Sequence, residues 1–181
     1  MAVYSDFPSN LSTQRLRLRR WRPSDAKHQR ALWAERDVRA RRRIDADGRP
    51  TVEEMRESLV ANPLSADPGL GLLPIELRAT GEFIGYCGLI VGQASYDEPE
   101  IAYELARRTH GNGYATEAGR AVVEAAARTG RQRLWATVRA WNTASLRVLE
   151  KLGFDRTGRV DPDPERGDSL WLTRELDPPA V

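Results

Sequence analysis

The octapeptide Arg108-Thr109-His110-Gly111-Asn112-Gly113-Tyr114-Ala115 lies between a predicted strand, Glu100 to Leu105, and a segment in which Ala118, Ala121, Val122 and Ala125 recur at the spacing of one buried helix face. A strand, a glycine loop and a helix in direct succession make this a mixed α/β chain built around that junction. The two glycines let the backbone curl into a concave nest of amide N–H groups, and the helix N-terminus adds partial positive charge. That is the chemistry of a phosphate or diphosphate cradle. An ordinary strand-to-helix turn uses the same residues, so the octapeptide by itself leaves both readings open. Two nucleotide motifs are excluded. A dinucleotide fingerprint needs a third small residue where Thr116 stands, and a P-loop needs a Gly-Lys-Ser/Thr that is absent.

The flanking segments give the rest of the domain. Leu16 to Arg22 alternate apolar and basic residues, as a half-buried strand does, before Pro23-Ser24-Asp25 opens a helix near Ser24. The turn cluster Asp45 to Pro50 separates it from a second helix begun by the capping box Thr51-x-x-Glu54, so two short helices cover residues 24 to 61. Residues 62 to 71 read as a loop, and 72 to 79 and 82 to 91 as a hairpin through Thr80-Gly81. Pro74 marks an edge, a strand end or a bulge in it. Gly130 stops the central helix, Arg133 to Val138 forms a strand, and Asn142 caps a helix carrying Leu146, Leu149 and Leu152 that Gly153 ends. Residues 154 to 160 and 168 to 176 supply two last strands. With no internal repeat and no linker, one domain spans residues 11–176 between tails at 1–10 and 177–181.

A chain of 181 residues buries roughly 70% of its unfolded surface, so it builds a core without staples. No run approaches the roughly 18 apolar residues of a membrane span. The first residues lack a basic start followed by an apolar stretch, so a cytoplasmic protein with no membrane partner is expected. A single cysteine, Cys87, and two distant histidines, His28 and His110, offer neither a disulfide nor zinc-ligand spacing, and no metal is expected. Cys87 reads as a small buried strand residue rather than a nucleophile. The formal charge of +2 does not argue for nucleic acid. The run Arg39 to Arg43 has no interleaved aromatics for base stacking and reads as a solvated or ion-paired face.

At the level of whole segments the chain resembles the GNAT superfamily of N-acetyltransferases, whose R-x-x-G-x-G/A loop opens a helix over the coenzyme A diphosphate. Leu16 to Ala26 is similar to the opening strand of the RimJ/RimL branch, and Thr80 to Leu89 to its central hairpin. Glu100-Ile101-Ala102-Tyr103 resembles that branch's Glu-Ile-Gly-Tyr, GNGYATEA over 111 to 118 its helix start, and Asn142 to Phe154 its last helix. The resemblance spans residues 11 to 176 in order. It implies a mostly antiparallel mixed sheet flanked by helices, with two parallel central strands, 100–105 and 133–138, splayed apart.

The resemblance further implies acetyl-CoA as cosubstrate, its diphosphate on Gly111, Asn112, Gly113, Tyr114 and Ala115. Its arm would run along Tyr103, Leu105 and Arg107, with charge from Arg107 and Arg108. The partner is an amine acceptor, a small molecule or a protein N-terminus, and a homodimer is left open. Many members use a tyrosine as acid where Leu149 stands here, so Ser145 is expected to serve the departing thiolate, with Asn142 beside it at the helix start. Capping chemistry explains Asn142 and Ser145 equally well. Glu100 is the expected base, against Asp97, Glu98 and Glu104 and against a plain solvated strand end. The alternative function is a noncatalytic acyl-CoA-binding or sensory module.

Overall fold

The computed structural model describes residues 4–61 and 70–177, so most of the expected 62–71 loop lies outside the described residues. The chain runs β1 (Leu11–Ser12), β2 (Leu16–Leu18), α1 (Ala26–Ala34), α2 (Val52–Ala61), β3 (Gly71–Leu77), β4 (Phe83–Ile90), β5 (Glu100–Leu105), α3 (Tyr114–Arg128), β6 (Arg133–Arg139), α4 (Thr143–Lys151), β7 (Asp155–Asp161) and β8 (Ser169–Glu175). The strands form one sheet in the order β1-β2-β3-β4-β5-β6-β8-β7. Every neighbouring pair is antiparallel except β5 and β6, which are parallel and meet in register only at Glu100 and Trp135. Past that pair the two strands part. The expected splayed central pair in a mostly antiparallel sheet is what these strands build.

Each face of the sheet buries its own apolar layer. Leu16, Leu18, Ile75, Ile84, Cys87 and Leu89 pack beneath α3 and α4, meeting Ala118, Val122, Ala126 and Leu149. The opposite layer, Trp21, Leu32, Met55, Leu59 and Phe83, seats α1 and α2. Small residues let α3 approach closely: a Cβ on Gly119 would lie 2.6 Å from Leu152 Cδ1 at the end of α4. The capping box of α2 is complete, with the Thr51 amide donating to Glu54 Oε2 at 2.7 Å and the Glu54 amide to Thr51 Oγ1 at 3.2 Å. An unpredicted short strand, β1, extends the sheet beyond β2.

Two expectations need correction, and one residue explains both. The strand expected over 16–22 ends at Leu18, and Pro74 lies inside β3, neither at an edge nor at a strand end. Arg19 donates its amide to Pro74 O at 3.0 Å, but Pro74 has no N–H to return, so the β2–β3 ladder stops there. The bulge falls just beyond, between Ile75 and Glu76. Freed from the ladder, Arg19 turns inward rather than to solvent. Its Nε donates to Glu76 Oε1 at 2.6 Å, and its two terminal nitrogens grip Asp25 at 2.7 and 2.9 Å.

All three charges are buried, and they tie the β2–β3 pair to the start of α1. Burial alone would raise the Glu76 pKa, but Arg19 and then Arg17 outweigh it and hold the carboxyl below its ordinary 4.5. Arg19→Met leaves buried Asp25 without its cation and Glu76 with Arg17 alone, and should cost about 3–5 kcal/mol, read by urea unfolding at neutral pH. A carboxyl held low in the fold stabilises above its unfolded pKa and loses that stabilisation as pH falls through its folded value. The deficit of Arg19→Met should therefore narrow below about pH 4.5.

Candidate active site

The junction of β5 and α3 is an open cradle. Gly113 is the N-cap of α3 at φ 78°, with no side-chain cap on the first-turn amides, and Gly111 sits at φ 79°. Left-handed backbone at both positions costs a glycine little and other residues about 1–2 kcal/mol. A Cβ on Gly111 would meet nothing within 4 Å, and one on Gly113 only Arg15 Nη2 at 3.7 Å, so the space before the loop is clear. The loop is braced from behind. Asn112 Nδ2 donates to Thr109 O at 3.1 Å, Arg15 Nη1 to Asn112 O at 3.1 Å, and Arg15 Nε to Glu117 Oε2 at 2.6 Å. Thr13 Oγ1 adds a 2.6 Å bond to Glu117, whose carboxyl these partners hold low against the opposing effect of burial.

From the cradle a cavity of about 650 Å³ runs along the end of β5 to the first turn of α4. Gly111, Gly113, Tyr114, Ala115 and Arg107 line its loop end, and Tyr103, Leu105, Asn142 and Ser145 its far end. Asn142 Oδ1 accepts the Ser145 amide at 3.1 Å, which caps α4 and fixes the serine on its first turn. Ser145 Oγ donates to Tyr103 Oη at 2.9 Å, and Tyr103 in turn donates to Ser145 O at 3.0 Å. Burial pushes the Tyr103 phenol up, so it keeps its proton throughout the neutral range.

Glu104 lines the same cavity, and consecutive strand residues point to opposite faces, so the cavity passes through the sheet. On this second face Tyr86, opposite Glu104 in the β4–β5 register, donates to Glu104 Oε2 at 2.7 Å. Arg36, from the segment after α1, donates to Glu104 Oε1 at 2.7 Å and to Tyr86 Oη at 3.1 Å. Burial, then the Glu104 charge, drives the Tyr86 phenol far up. Glu35 accepts the Arg107 amide at 2.8 Å, holding the entry to the cradle against α1. Arg39 stacks over Trp141, another cavity residue, 4.0 Å from the ring centroid.

A family model described as an acetyltransferase (GNAT) domain matches residues 15–155, most of the chain. The chain belongs to the GNAT acetyltransferases. It is thereby an acyltransferase by family. Among curated relatives, the uncharacterized N-acetyltransferase p20 of Bacillus licheniformis is 29% identical over 150 residues, 82% of this chain and 83% of that one. The uncharacterized protein YkkB of Bacillus subtilis is 42% identical over 89 residues, so the match spans about half of each chain, 48% of this one and 51% of YkkB. Among solved structures, RimL, a ribosomal L7/L12 alpha-N-protein acetyltransferase determined with coenzyme A, superposes with a TM-score of 0.73 at 20% identity over 94% of this chain and 98% of its own. The fold agrees with the branch that the sequence resembles.

Within this GNAT chain not every expected site residue reaches the cavity. Arg108 turns to Glu82, with Nη2 to Oε1 at 2.8 Å, and Asn112 braces the loop from outside the lining. Glu100 is buried where β5 and β6 meet, outside the cavity lining, and accepts Thr137 Oγ1 at 2.6 Å and the Gln93 amide at 2.5 Å. It staples the two strands at the apex of the splay, and the carboxylate the fold brings to the cavity from β5 is Glu104. Leu149 is buried and offers no hydroxyl. Cys87 is fully buried, which pushes its thiol up to about 12. Among the described residues no cluster of His, Cys, Asp and Glu fits a metal ion, and no helix is long and apolar enough to cross a membrane. Sequence reading missed the Tyr103–Ser145 pair and the Arg36–Glu104–Tyr86 group. The signal for the second is the pairing of β4 with β5, which sets Tyr86 across from Glu104 once its register is known.

Proposed function

We propose that this chain transfers the acetyl group of acetyl-CoA to a primary amine, on a protein or peptide N-terminus or a small molecule, by direct attack within a ternary complex. The observation that carries this reading is one cavity joining an anion cradle to polar groups on both faces of the sheet. Bound acetyl-CoA supplies the activated thioester. The amides of Gly111 to Ala115 and the Arg107 guanidinium would hold its diphosphate. Backbone groups of β5 that face β6 beyond Glu100 have no ladder partner, and an amide among them is free to stabilise an oxyanion. Ser145, steadied by Tyr103, would serve the leaving sulfur, and Glu104 would meet the amine from the other side. Because the reaction consumes acetyl-CoA, the cytoplasm is the compartment this reading assigns.

A primary ammonium is mostly protonated near neutral pH and attacks only when neutral, so a carboxylate beside it has a task. Glu104 takes that role in place of Glu100. Arg36 pairs with it, and Tyr86 links it through a hydrogen bond to the amine side of the cavity. Glu104→Gln keeps the shape and removes the proton acceptor, so turnover should fall about 100-fold at neutral pH and recover in part as free amine becomes abundant. A mutant-to-wild-type ratio that stays flat with pH would make Glu104 a positioning residue. Thiol release from acetyl-CoA across a panel of amines and N-terminal peptides tests the whole reading. Coenzyme binding with no release for any acceptor would favour a noncatalytic acyl-CoA-binding module.

A further inference from the structure

The arginine run at 39–43 lies at the amine end of the cavity, and the transfer described above makes no use of it. Its backbone hangs on the group that holds Glu104. Arg36 Nη1 donates to Arg42 O at 2.6 Å, from the same guanidinium whose Nε reaches Glu104 Oε1. Ala40 lines the cavity, and Arg39, paired with Asp37, stacks over Trp141, so the segment is anchored against the cavity at further points. Arg41, Arg42 and Arg43 are different. All three are exposed, and none of their side chains has an ion pair, hydrogen bond or ring contact with a described residue. The next carboxylate along the chain, Asp45, is taken up by the amides of Asp47 and Arg49. Successive Cα atoms are about 3.8 Å apart, well inside the screening length of roughly 10 Å at 0.1 M salt, so three unmatched charges repel one another. That repulsion works against the fold, and an anionic partner relieves it.

We infer that Arg41, Arg42 and Arg43 dock the acidic residues of a peptide acceptor whose N-terminal amine reaches Glu104. The inference rests on the acetyl-transfer reading above and narrows its acceptor to acidic polypeptide N-termini. A cavity of about 650 Å³ is of the size that holds one small ligand, and acetyl-CoA claims its cradle end. What remains admits a slim primary amine, so the body of the acceptor lies outside, where the arginine run stands. An extended peptide advances about 3.3 Å per residue and presents several side chains in a row, which suits three consecutive cations better than a small amine with one acidic group does. Guanidinium groups take carboxylates through paired N–H donors. The carboxylates at this end, Asp37, Glu35 and Glu104, are engaged by Arg39, the Arg107 amide and Arg36, so the charge of the run stays uncancelled. An RNA strand would answer the same charge, but the run has no aromatics for base stacking.

The test follows thiol release from acetyl-CoA with a peptide whose free N-terminus is followed by Asp and Glu residues, and with its counterpart carrying Asn and Gln instead. At low ionic strength the wild-type chain should show kcat/KM about tenfold higher for the acidic peptide, carried by KM, with the gap closing as salt rises, because exposed ion pairs are individually weak and screened. Arg41→Gln/Arg42→Gln/Arg43→Gln should treat the two peptides alike. Arg120→Gln/Arg128→Gln/Arg156→Gln removes as many exposed arginines from α3 and β7 and should keep the preference, which separates a local contact from net charge. Competition by N-acetylated forms of the two peptides, which cannot react, repeats the comparison without chemistry. Turnover with no advantage for the acidic peptide, or an advantage that survives the substitution of all three arginines, overturns the inference and leaves acetyl transfer standing. Stronger competition at physiological salt by an RNA oligonucleotide than by the blocked acidic peptide assigns the run to nucleic acid and overturns it as well. No release with any acceptor overturns both.

Discussion

Gly113→Val should weaken coenzyme A binding by about 100-fold in a protein that still folds. Gly113 holds φ 78° as the N-cap of α3, where a β-branched residue is strained by about 1–3 kcal/mol. Its side chain would also project into the clear space before the loop, toward the place the diphosphate must occupy. Losing one charge-assisted anchor is worth roughly 2–3 kcal/mol, which sets the factor. Thermal shift gives a second reading. At one hundred times its Kd the coenzyme should stabilise the wild-type chain by about 2.7 kcal/mol, and the variant should show almost none of that at the same concentration. A folded Gly113→Val protein with wild-type affinity would move the cradle away from Gly111 to Ala115.

Ser145→Ala should lower turnover by about 100- to 10,000-fold while coenzyme affinity changes little, because a donor to the departing thiolate matters most in the transition state. Tyr103→Phe keeps the ring and releases the serine from its 2.9 Å partner, so it should lower turnover by a smaller factor, about tenfold. Since the two hydroxyls act as one unit, the double variant should fall little below Ser145→Ala alone. Single-turnover thiol release is the measurement, as it isolates the chemical step. Unchanged release in Ser145→Ala would hand the proton to water or another hydroxyl. Multiplicative losses in the double variant would mean that Tyr103 acts independently of Ser145.

What could be read from the chain follows the distance over which each signal acts. The capping box at Thr51 and Glu54, the cap at Asn142 and the glycine loop before α3 are written within a few residues, and each has the geometry its spacing predicts. Ser145 and Tyr103 are 42 positions apart, and Arg36 and Glu104 are 68 apart. Such pairs need strand register and the course of an irregular segment, neither of which local spacing encodes. Alternation misled at Arg19, where a basic residue at a solvent-facing position has a buried guanidinium. The proline that stops the ladder is 55 residues away, and only the sheet brings them together. Glu100 shows the converse. A carboxylate at the head of a strand leading to the coenzyme loop has the right residue type, but burial against Thr137 and Gln93 makes it a fastener for the two strands.

The single register shared by β5 and β6 makes the sheet two plates joined at one point, with a seam that opens beyond it. On the helical side α3 packs against the end of α4 where Gly119 faces Leu152, so that approach depends on a side chain that is missing. A methyl group there would force the Leu152 side chain to shift, although it would touch no polar residue. Close packing of the two helices is then a property of the layer beneath the sheet, independent of the residues that line the cavity.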